Sequence, residues 1–223
     1  MLPRLGVITI GQSPRPDLHA VFAREAPHAE VLVRGALDDL DVAAITELAT
    51  PGCDYPLLVR LRNGASSELP MARVHQRVVV VAESLAVEGV YAIVVACAGA
   101  FPEVPCAVPV LLPGLILPAA VRAMVRSRRI GVVSPIAGQL AAAEAKWRSD
   151  GFDPVMACAS PVAEHEIDAA AETMRLAAPE LVILDCMGHG DEYTQRVADR
   201  CRRPVVSAQS LTARLAGALL PPR

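Results

Sequence analysis

Two cysteines stand where an α/β chain would carry reactive thiols. Leu181 to Leu184 is an unbroken apolar run, β-branched in its middle, and reads as a strand buried on both faces. It stops in Asp185, Cys186, Met187, Gly188, His189 and Gly190, ahead of a polar stretch, Asp191 to Arg200, that suits a helix. Tyr91 to Ala100, YAIVVACAGA, makes the same transition around Cys97. Each thiol thus falls where a parallel strand ends, the edge at which open α/β sheets bind ligands. A thiol of ordinary pKa, about 8.5, is a poor base at neutral pH. Nearby backbone N–H groups and a helix dipole make the thiolate accessible. Gly99 and Gly188, each two residues past a cysteine, let the backbone approach a substrate closely. Two such thiols flanking one carbon suit proton transfer, with one thiolate removing a proton while the opposite thiol donates one. That arrangement inverts a stereocentre without a cofactor.

Other residues offer binding chemistry. Arg15 lies in the loop Gly11 to Asp17, GQSPRPD, beside Gln12 and Ser13. A guanidinium there can hold a substrate carboxylate bidentately; the alternative is a surface arginine on a proline-stiffened turn. Ser134 occupies the matching place in the second half, where it offers a hydroxyl to ligand or caps the next helix. His189, three residues after Cys186, reads as an ion-pair partner for the thiolate or as a donor to substrate. A zinc half-site of Cys186 and His189 lacks further ligands, so no metal is expected. His165-Glu166 opens like H-E-x-x-H, but Ala169 stands where the second histidine belongs. No G-x-G-x-x-G or Walker A loop is present, which argues against a nucleotide cofactor. Arg122, Arg126, Arg128 and Arg129 read as a solvated helix face and its end.

The elements that must position these residues alternate along the chain. Strands are expected at Leu5 to Ile10, Glu30 to Val33, Tyr91 to Ala96, Ala107 to Leu112, Ile130 to Val133, Pro154 to Ala157, Leu181 to Leu184 and Pro204 to Val206. Helices fit Leu18 to Glu25, Asp38 to Leu48 (closed by Pro51 and Gly52), Met71 to Glu88, Leu117 to Arg126, Ala137 to Arg148, Val162 to Ala177 and Gln209 to Leu219. Asn63-Gly64 is a hairpin turn between Pro56 to Leu61 and Ala65 to Leu69. The fold class is α/β with mostly parallel sheets. LGVITIGQ near the start and IGVVSPIAGQ from Ile130 each open a half that later reaches its cysteine. The first half is longer by about the length of 38–75, which reads as an insertion containing the hairpin. The expected organisation is a first lobe over 1–112, a second over 113–206, and a C-terminal helix at 207–223 packing back on the first. Two facing lobes would bring both cysteine strand ends to a shared cleft.

Composition narrows the function. With 223 residues there is ample material for a core. A formal charge of -3 gives no attraction to nucleic acid, and 3% aromatic residues leave few stacking platforms. No apolar run is long enough to span a membrane and no signal peptide pattern is seen, so a cytoplasmic location without membrane contact is expected. The six cysteines form no C-x-x-C pair, and Cys158 and Cys201 read as small buried hydrophobes.

Taken together, ITIGQSPRPD at 8–17, GALDDL at 35–40, LLVRLRNG at 57–64, CAGAFP at 97–102, the Gln139 to Trp147 helix and LDCMGHG at 184–190 resemble the AroM family. That family is similar to the aspartate/glutamate racemase superfamily. The resemblance implies two pseudo-symmetric, Rossmann-like parallel-sheet lobes and cofactor-free chemistry by strand-end cysteines. It places Cys97 and Cys186 at the catalytic positions and Gly11 to Arg15 in the loop that meets a substrate carboxylate. Ala98, Gly99, Met187, Gly188 and His189 flank those cysteines and count with the substrate site, as do Gln12, Ser13 and Ser134. The sequence departs from the superfamily in two places. Ala98-Gly99 replaces the usual polar pair after the first cysteine, and His189 is three residues past the second cysteine rather than two. An amino-acid substrate is therefore not implied. The expected partner is a small carboxylate, with a homodimer left open. A racemase or isomerase leads, ahead of a decarboxylase on the same scaffold or a carboxylate-binding protein without turnover.

Overall fold

The computed structural model describes residues 2–50, 53 and 55–221. The expected closure of a helix by Pro51 and Gly52 lies outside the described residues. The chain divides into two compact units. The first holds Met1–Cys97, Phe101–Pro113 and Thr212–Arg223, and the second Ala98–Ala100 and Gly114–Leu211. Among the described residues no helix is long and apolar enough to cross a membrane.

The first unit contains β1 (Arg4–Thr9), α1 (Pro16–Glu25), β2 (Glu30–Gly35), α2 (Val42–Leu48), the strands β3 (Pro56–Arg60) and β4 (Ser66–Pro70), α3 (Met71–Val87), β5 (Ala92–Ala96) and β6 (Val110–Leu111). Its main sheet has the order β2-β1-β5-β6 and is parallel throughout. The second unit follows with α4 (Pro113–Met124), β7 (Arg129–Ser134), α5 (Leu140–Ser149), β8 (Asp153–Cys158), α6 (Glu164–Ala177), β9 (Leu181–Leu184), α7 (Asp191–Cys201) and β10 (Val205–Ser207). Its sheet runs β10-β9-β7-β8, again parallel. Read from its other edge, this is the order of the first sheet. In each, the opening strand lies inside, the next strand flanks it on one side, and the cysteine-bearing strand flanks it on the other. The repeat seen as sequence motifs is thus also a repeat of topology. The final helix, α8 (Ala208–Leu219), begins in the second unit and ends in the first.

Periodicity explains the less obvious elements. Val78 to Val81 has the composition of a strand, yet α3 runs through it because Val74, Val78, Ala82 and Leu85 share one helical face and are all buried. Val80, on the opposite face, is exposed. The helix expected over 137–148 is divided instead. Ala137–Gln139 forms a single 3₁₀ turn before α5, with the Gln139 N–H donating to the Ile136 carbonyl. Neither Ile136 nor Gln139 supplies a side-chain cap, so the first turn tightens to satisfy its own backbone. This also removes the capping role considered for Ser134. The helix expected from Asp38 starts later, at Val42, because Asp41 is its cap and accepts from the Ala44 N–H at 2.8 Å.

The antiparallel pair β3–β4 turns through Asn63 and Gly64, where Gly64 adopts φ +86°. Its inward residues Leu57, Val59 and Leu69 join Ile8, Ile45, Val74 and Ile93 in one buried cluster. Polar contacts bind it as well. The Arg62 N–H donates to Gln12 Oε1 at 3.0 Å, and the Gln12 N–H donates to the Arg60 carbonyl at 2.9 Å. The approach is too close for any side chain at residue 11, since a Cβ on Gly11 would lie 2.1 Å from the Arg60 carbonyl oxygen.

Asp38 ties these segments together. It accepts from the Ser13 N–H at 2.6 Å, the Ser13 hydroxyl at 2.7 Å and the Gly35 N–H at 2.7 Å, and it faces Arg62 Nη2 at 3.4 Å. Asp38→Ala removes all of these acceptors at once. It should lower unfolding free energy by about 2–3 kcal/mol in urea, with Asp38→Asn losing less because one oxygen remains. An Asp38→Ala protein as stable as the wild type would show that the apolar cluster alone holds the hairpin.

Candidate active site

In the second unit, Cys186 follows β9 by two residues and sits in a loop anchored from several sides. The Asp185 N–H donates to the Val133 carbonyl of β7 at 2.9 Å. Ser207 Oγ, at the end of β10, donates to the His189 carbonyl at 3.0 Å. Gln209 Nε2 donates to the Met187 carbonyl at 2.8 Å. A Cβ on Gly188 would lie 2.9 Å from Cγ of Pro161, so only glycine lets the loop lie this close to the turn between β8 and α6. The Cys186 segment is thereby held in place, and the Gly188 N–H points at the Cys186 sulfur at 3.3 Å. A donor aimed at sulfur is the contact that stabilises a thiolate.

Behind the loop lies a buried charge cluster. The Asp185 side chain is 3% exposed and that of Lys146 10%. Trp147 Nε1 donates to Asp185 Oδ2 at 3.0 Å, and Lys146 Nζ stands 3.8 Å from Oδ1. Lys146 Nζ donates to the Ala98 carbonyl at 2.9 Å and lies 5.2 Å from the centre of the Trp147 ring. Burial pushes the Asp185 carboxyl up, against the opposing pull of the Lys146 charge and the Trp147 N–H.

His189 departs from expectation. It is fully buried, with its ring against that of Tyr193 at 5.7 Å and Nε2 2.9 Å from the Ala159 carbonyl. A carbonyl only accepts, so Nε2 carries the proton and Nδ1 the lone pair. Burial lowers its pKa to about 4, although the bond to Ala159 works in the other direction. A ring neutral at pH 7 is no ion-pair partner for a thiolate, which corrects that expectation. The imidazole instead pins the loop to Ala159.

The first unit presents its cysteine differently. Cys97 directly follows β5 and is buried, its N–H donating to the Val95 carbonyl at 2.7 Å. Ala98 is buried, and Gly99 is pressed against α4, where a Cβ on Gly114 would lie 2.0 Å from its carbonyl oxygen. On the neighbouring strand Thr9 pairs with Ala96, and its hydroxyl accepts from Arg15 Nη1 at 3.2 Å. Arg15 also grips Asp17 bidentately, through Nε at 2.8 Å and Nη2 at 2.6 Å. With a side chain only 12% exposed, it is not the surface arginine of the alternative reading. Burial would push the Asp17 carboxyl up, but the hydrogen bonds and charge of Arg15, with the Leu18 N–H and the Arg60 charge, hold it below the ordinary carboxylate range.

Gln12 and Ser13 are a second correction. The Gln12 amide donates to the Leu37 and Leu40 carbonyls while its oxygen accepts from Arg62. Ser13 is engaged by Asp38 through both N–H and hydroxyl. Both fasten the Arg15 loop rather than offer their polar atoms to a ligand. Ser134 ends β7 as Thr9 ends β1, buried beside the cysteine strand. Sequence reasoning overlooked Thr9 as a site residue, as well as Lys146, Trp147 and Asp185. A lysine in the last turn of an alanine-rich helix and an acid just after an apolar strand were the available signals.

The remaining cysteines are ordinary. None of the six forms a disulfide. Burial pushes the Cys201 thiol up, and burial together with the Glu166 charge does the same to Cys158. Among the described residues no three His, Cys, Asp or Glu side chains are grouped to hold a metal ion.

The model of the AroM protein family matches residues 5–220. No curated protein sequence matches the chain. Solved structures share the fold at low identity. Glutamate racemase from Aquifex pyrophilus is 17% identical with a TM-score of 0.56, over 98% of this chain and 84% of that one. Arylmalonate decarboxylase is 17% identical at 0.61, over 98% and 92%. Maleate isomerase from Pseudomonas putida S16 is 15% identical at 0.57, over 100% and 94%. The α/β class and the pair of parallel-sheet lobes are those of the aspartate/glutamate racemase type.

The buried, neutral His189 gives the fold a defined acid sensitivity. Its folded pKa is depressed from 6.5 to about 4, so the unfolded state binds the extra proton first and stability falls as pH drops from 6.5 toward 4. The loss should be about 3 kcal/mol between pH 7 and 4. His189→Gln keeps an N–H donor for Ala159 but cannot titrate. Its unfolding free energy, measured by urea at both pH values, should lose about 3 kcal/mol less than the wild type. Equal losses in the two proteins would mean that His189 titrates normally in the fold.

Proposed function

The chain belongs to the AroM protein family, and from that premise we propose that it is a cofactor-independent racemase or isomerase acting at a carbon next to a carboxylate. Cys97 and Cys186 are its acid/base pair. The observation that carries this reading is the equivalent placement of the two cysteines. Each closes the third strand of a parallel sheet with the same strand order, beside a strand that ends in a buried hydroxyl residue. The enzymes reported among the structural neighbours, a glutamate racemase, a maleate isomerase and an arylmalonate decarboxylase, support an enzyme on this scaffold.

In the proposed reaction one cysteine, as thiolate, takes the proton from the carbon next to the carboxylate. The electron pair left behind spreads onto the carboxylate, and the opposite thiol returns a proton to the other face of the same carbon. Charge thus grows on the substrate carboxylate as the proton leaves, and a fixed cation stabilises it there. Arg15 is assigned that task. Asp17 and Thr9 fix its orientation through three of its five N–H groups. The Gly188 N–H supports the thiolate of Cys186.

A decarboxylase is the second reading, and one asymmetry favours it. Cys97 is buried, whereas Cys186 is partly exposed and receives the Gly188 N–H. One well-set thiol suffices to protonate the carbanion that loss of carbon dioxide leaves.

The substrate is to be found by thermal shift against enantiopure small carboxylic acids, since a specific ligand raises the melting temperature by mass action. On a substrate so identified, Cys97→Ser and Cys186→Ser should each abolish racemisation, because a hydroxyl is a far weaker base than a thiolate near pH 7. Loss of turnover in Cys186→Ser alone would select the decarboxylase, and full activity in Cys186→Ser would end both readings. Arg15→Ala should weaken carboxylate binding by about tenfold or more while changing the melting temperature little. Unchanged affinity would remove Arg15 from the site.

A further inference from the structure

Lys146 is a cation held largely out of water beside a buried carboxylate. Its side chain is 10% exposed, and among the described residues its ammonium donates to the Ala98 carbonyl. Asp185, its buried counter-ion, lies at 3.8 Å, an attraction without a hydrogen bond, and Oδ1 has no hydrogen-bond partner among the described residues. Burying such a pair costs several kcal/mol per ion in desolvation, and apolar residues of similar volume often serve a core as well or better. What the pair does instead follows from its neighbours in sequence. Ala98 is the residue after Cys97, and Asp185 is the residue before Cys186. One ammonium therefore governs the backbone beside both cysteines.

The surrounding packing leaves that ammonium little freedom. Trp147 places its ring face toward Nζ and uses its indole N–H on Asp185 Oδ2, so the carboxyl group cannot turn away. Gly114 presses on the Gly99 carbonyl from α4, fixing the segment that Lys146 holds through Ala98. Asp185 is anchored through its own N–H to Val133. A displacement of the ammonium would shift both segments.

We propose that Lys146, through Asp185 and Ala98, is the positioning residue of the cysteine chemistry, fixing the segments 98–100 and 185–190 and supplying positive charge that favours the Cys186 thiolate. This rests on the acid/base reading of the cysteines, and it adds α5 to the elements on which that chemistry depends. Lys146 touches no reacting atom in this account.

The test compares wild type, Lys146→Gln and Lys146→Arg by two readouts that need no substrate. Amide hydrogen exchange should rise in Lys146→Gln selectively at 98–100 and 185–190. Alkylation of Cys186 by iodoacetamide at pH 7, followed by peptide mass spectrometry, should slow roughly tenfold, the effect of one unit in thiolate equilibrium. Lys146→Arg, which keeps the charge, should restore most of the alkylation rate, a rescue that a purely space-filling role would not show. Should Lys146→Gln fail to fold, Lys146→Met provides the uncharged comparison; failure of both would make Lys146 structural and overturn the proposal. A folded Lys146→Gln protein with wild-type exchange and alkylation would also overturn it. The underlying acid/base reading fails separately and visibly, if Cys186 in the wild type alkylates no faster than a cysteine in an unfolded peptide.

Discussion

A carboxyl group removed from water constrains the second unit. Asp185 directly follows a strand whose residues are all apolar, and its burial would be prohibitive without compensation. The compensation comes from α5, through the Trp147 N–H and the Lys146 charge, and it fixes where α5 lies against β9. The turn that follows can then take only one course. Its carbonyls at Met187 and His189 meet donors from Gln209 and Ser207, its imidazole meets Ala159, and Gly188 passes against Pro161 where a side chain would not fit. Cys186 is carried within this turn, so the position of its sulfur follows from the contacts its neighbours make. Preorganisation of this kind lets a reacting group act without rearrangement when charge develops.

The first unit solves a similar problem with other residues. Its strand-end loop carries Arg15, and Asp38 gathers that loop, the end of β2 and the hairpin by hydrogen bonds. The hairpin is therefore no appendage. It contributes Leu57, Val59 and Leu69 to the core and closes over Gln12. Arg15 emerges with Asp17 in its fork, held in a fixed orientation rather than free to rotate. The two units share a topology and differ in how they secure their strand ends.

Much of this was legible in the sequence because it follows from periodicity. The apolar runs ending in Cys97 and Cys186, Asn63-Gly64 and the repeated strand openings are local signals with local causes. Resemblance of the quoted motifs to the AroM family extended the reading to fold type. What the sequence concealed were choices settled by tertiary partners. Gln12, Ser13 and His189 are polar residues beside a candidate site residue, and nothing local distinguishes a ligand contact from an internal one. Their carbonyl and carboxylate partners lie on distant segments, at Leu37, Asp38 and Ala159. The roles of Lys146 and Asp185 were hidden for the same reason, since a charged residue is read as exposed until its counter-ion is located.

The central claim is that two thiols divide the faces of one carbon, and solvent isotope exchange tests it most directly. On an identified substrate in deuterated water, the wild type should introduce deuterium into both enantiomers at the carbon next to the carboxylate. Cys97→Ser and Cys186→Ser, each retaining one thiol, should exchange opposite single enantiomers while failing to interconvert them. Exchange of the same enantiomer by both variants, or of both enantiomers by either one, would contradict the division of labour.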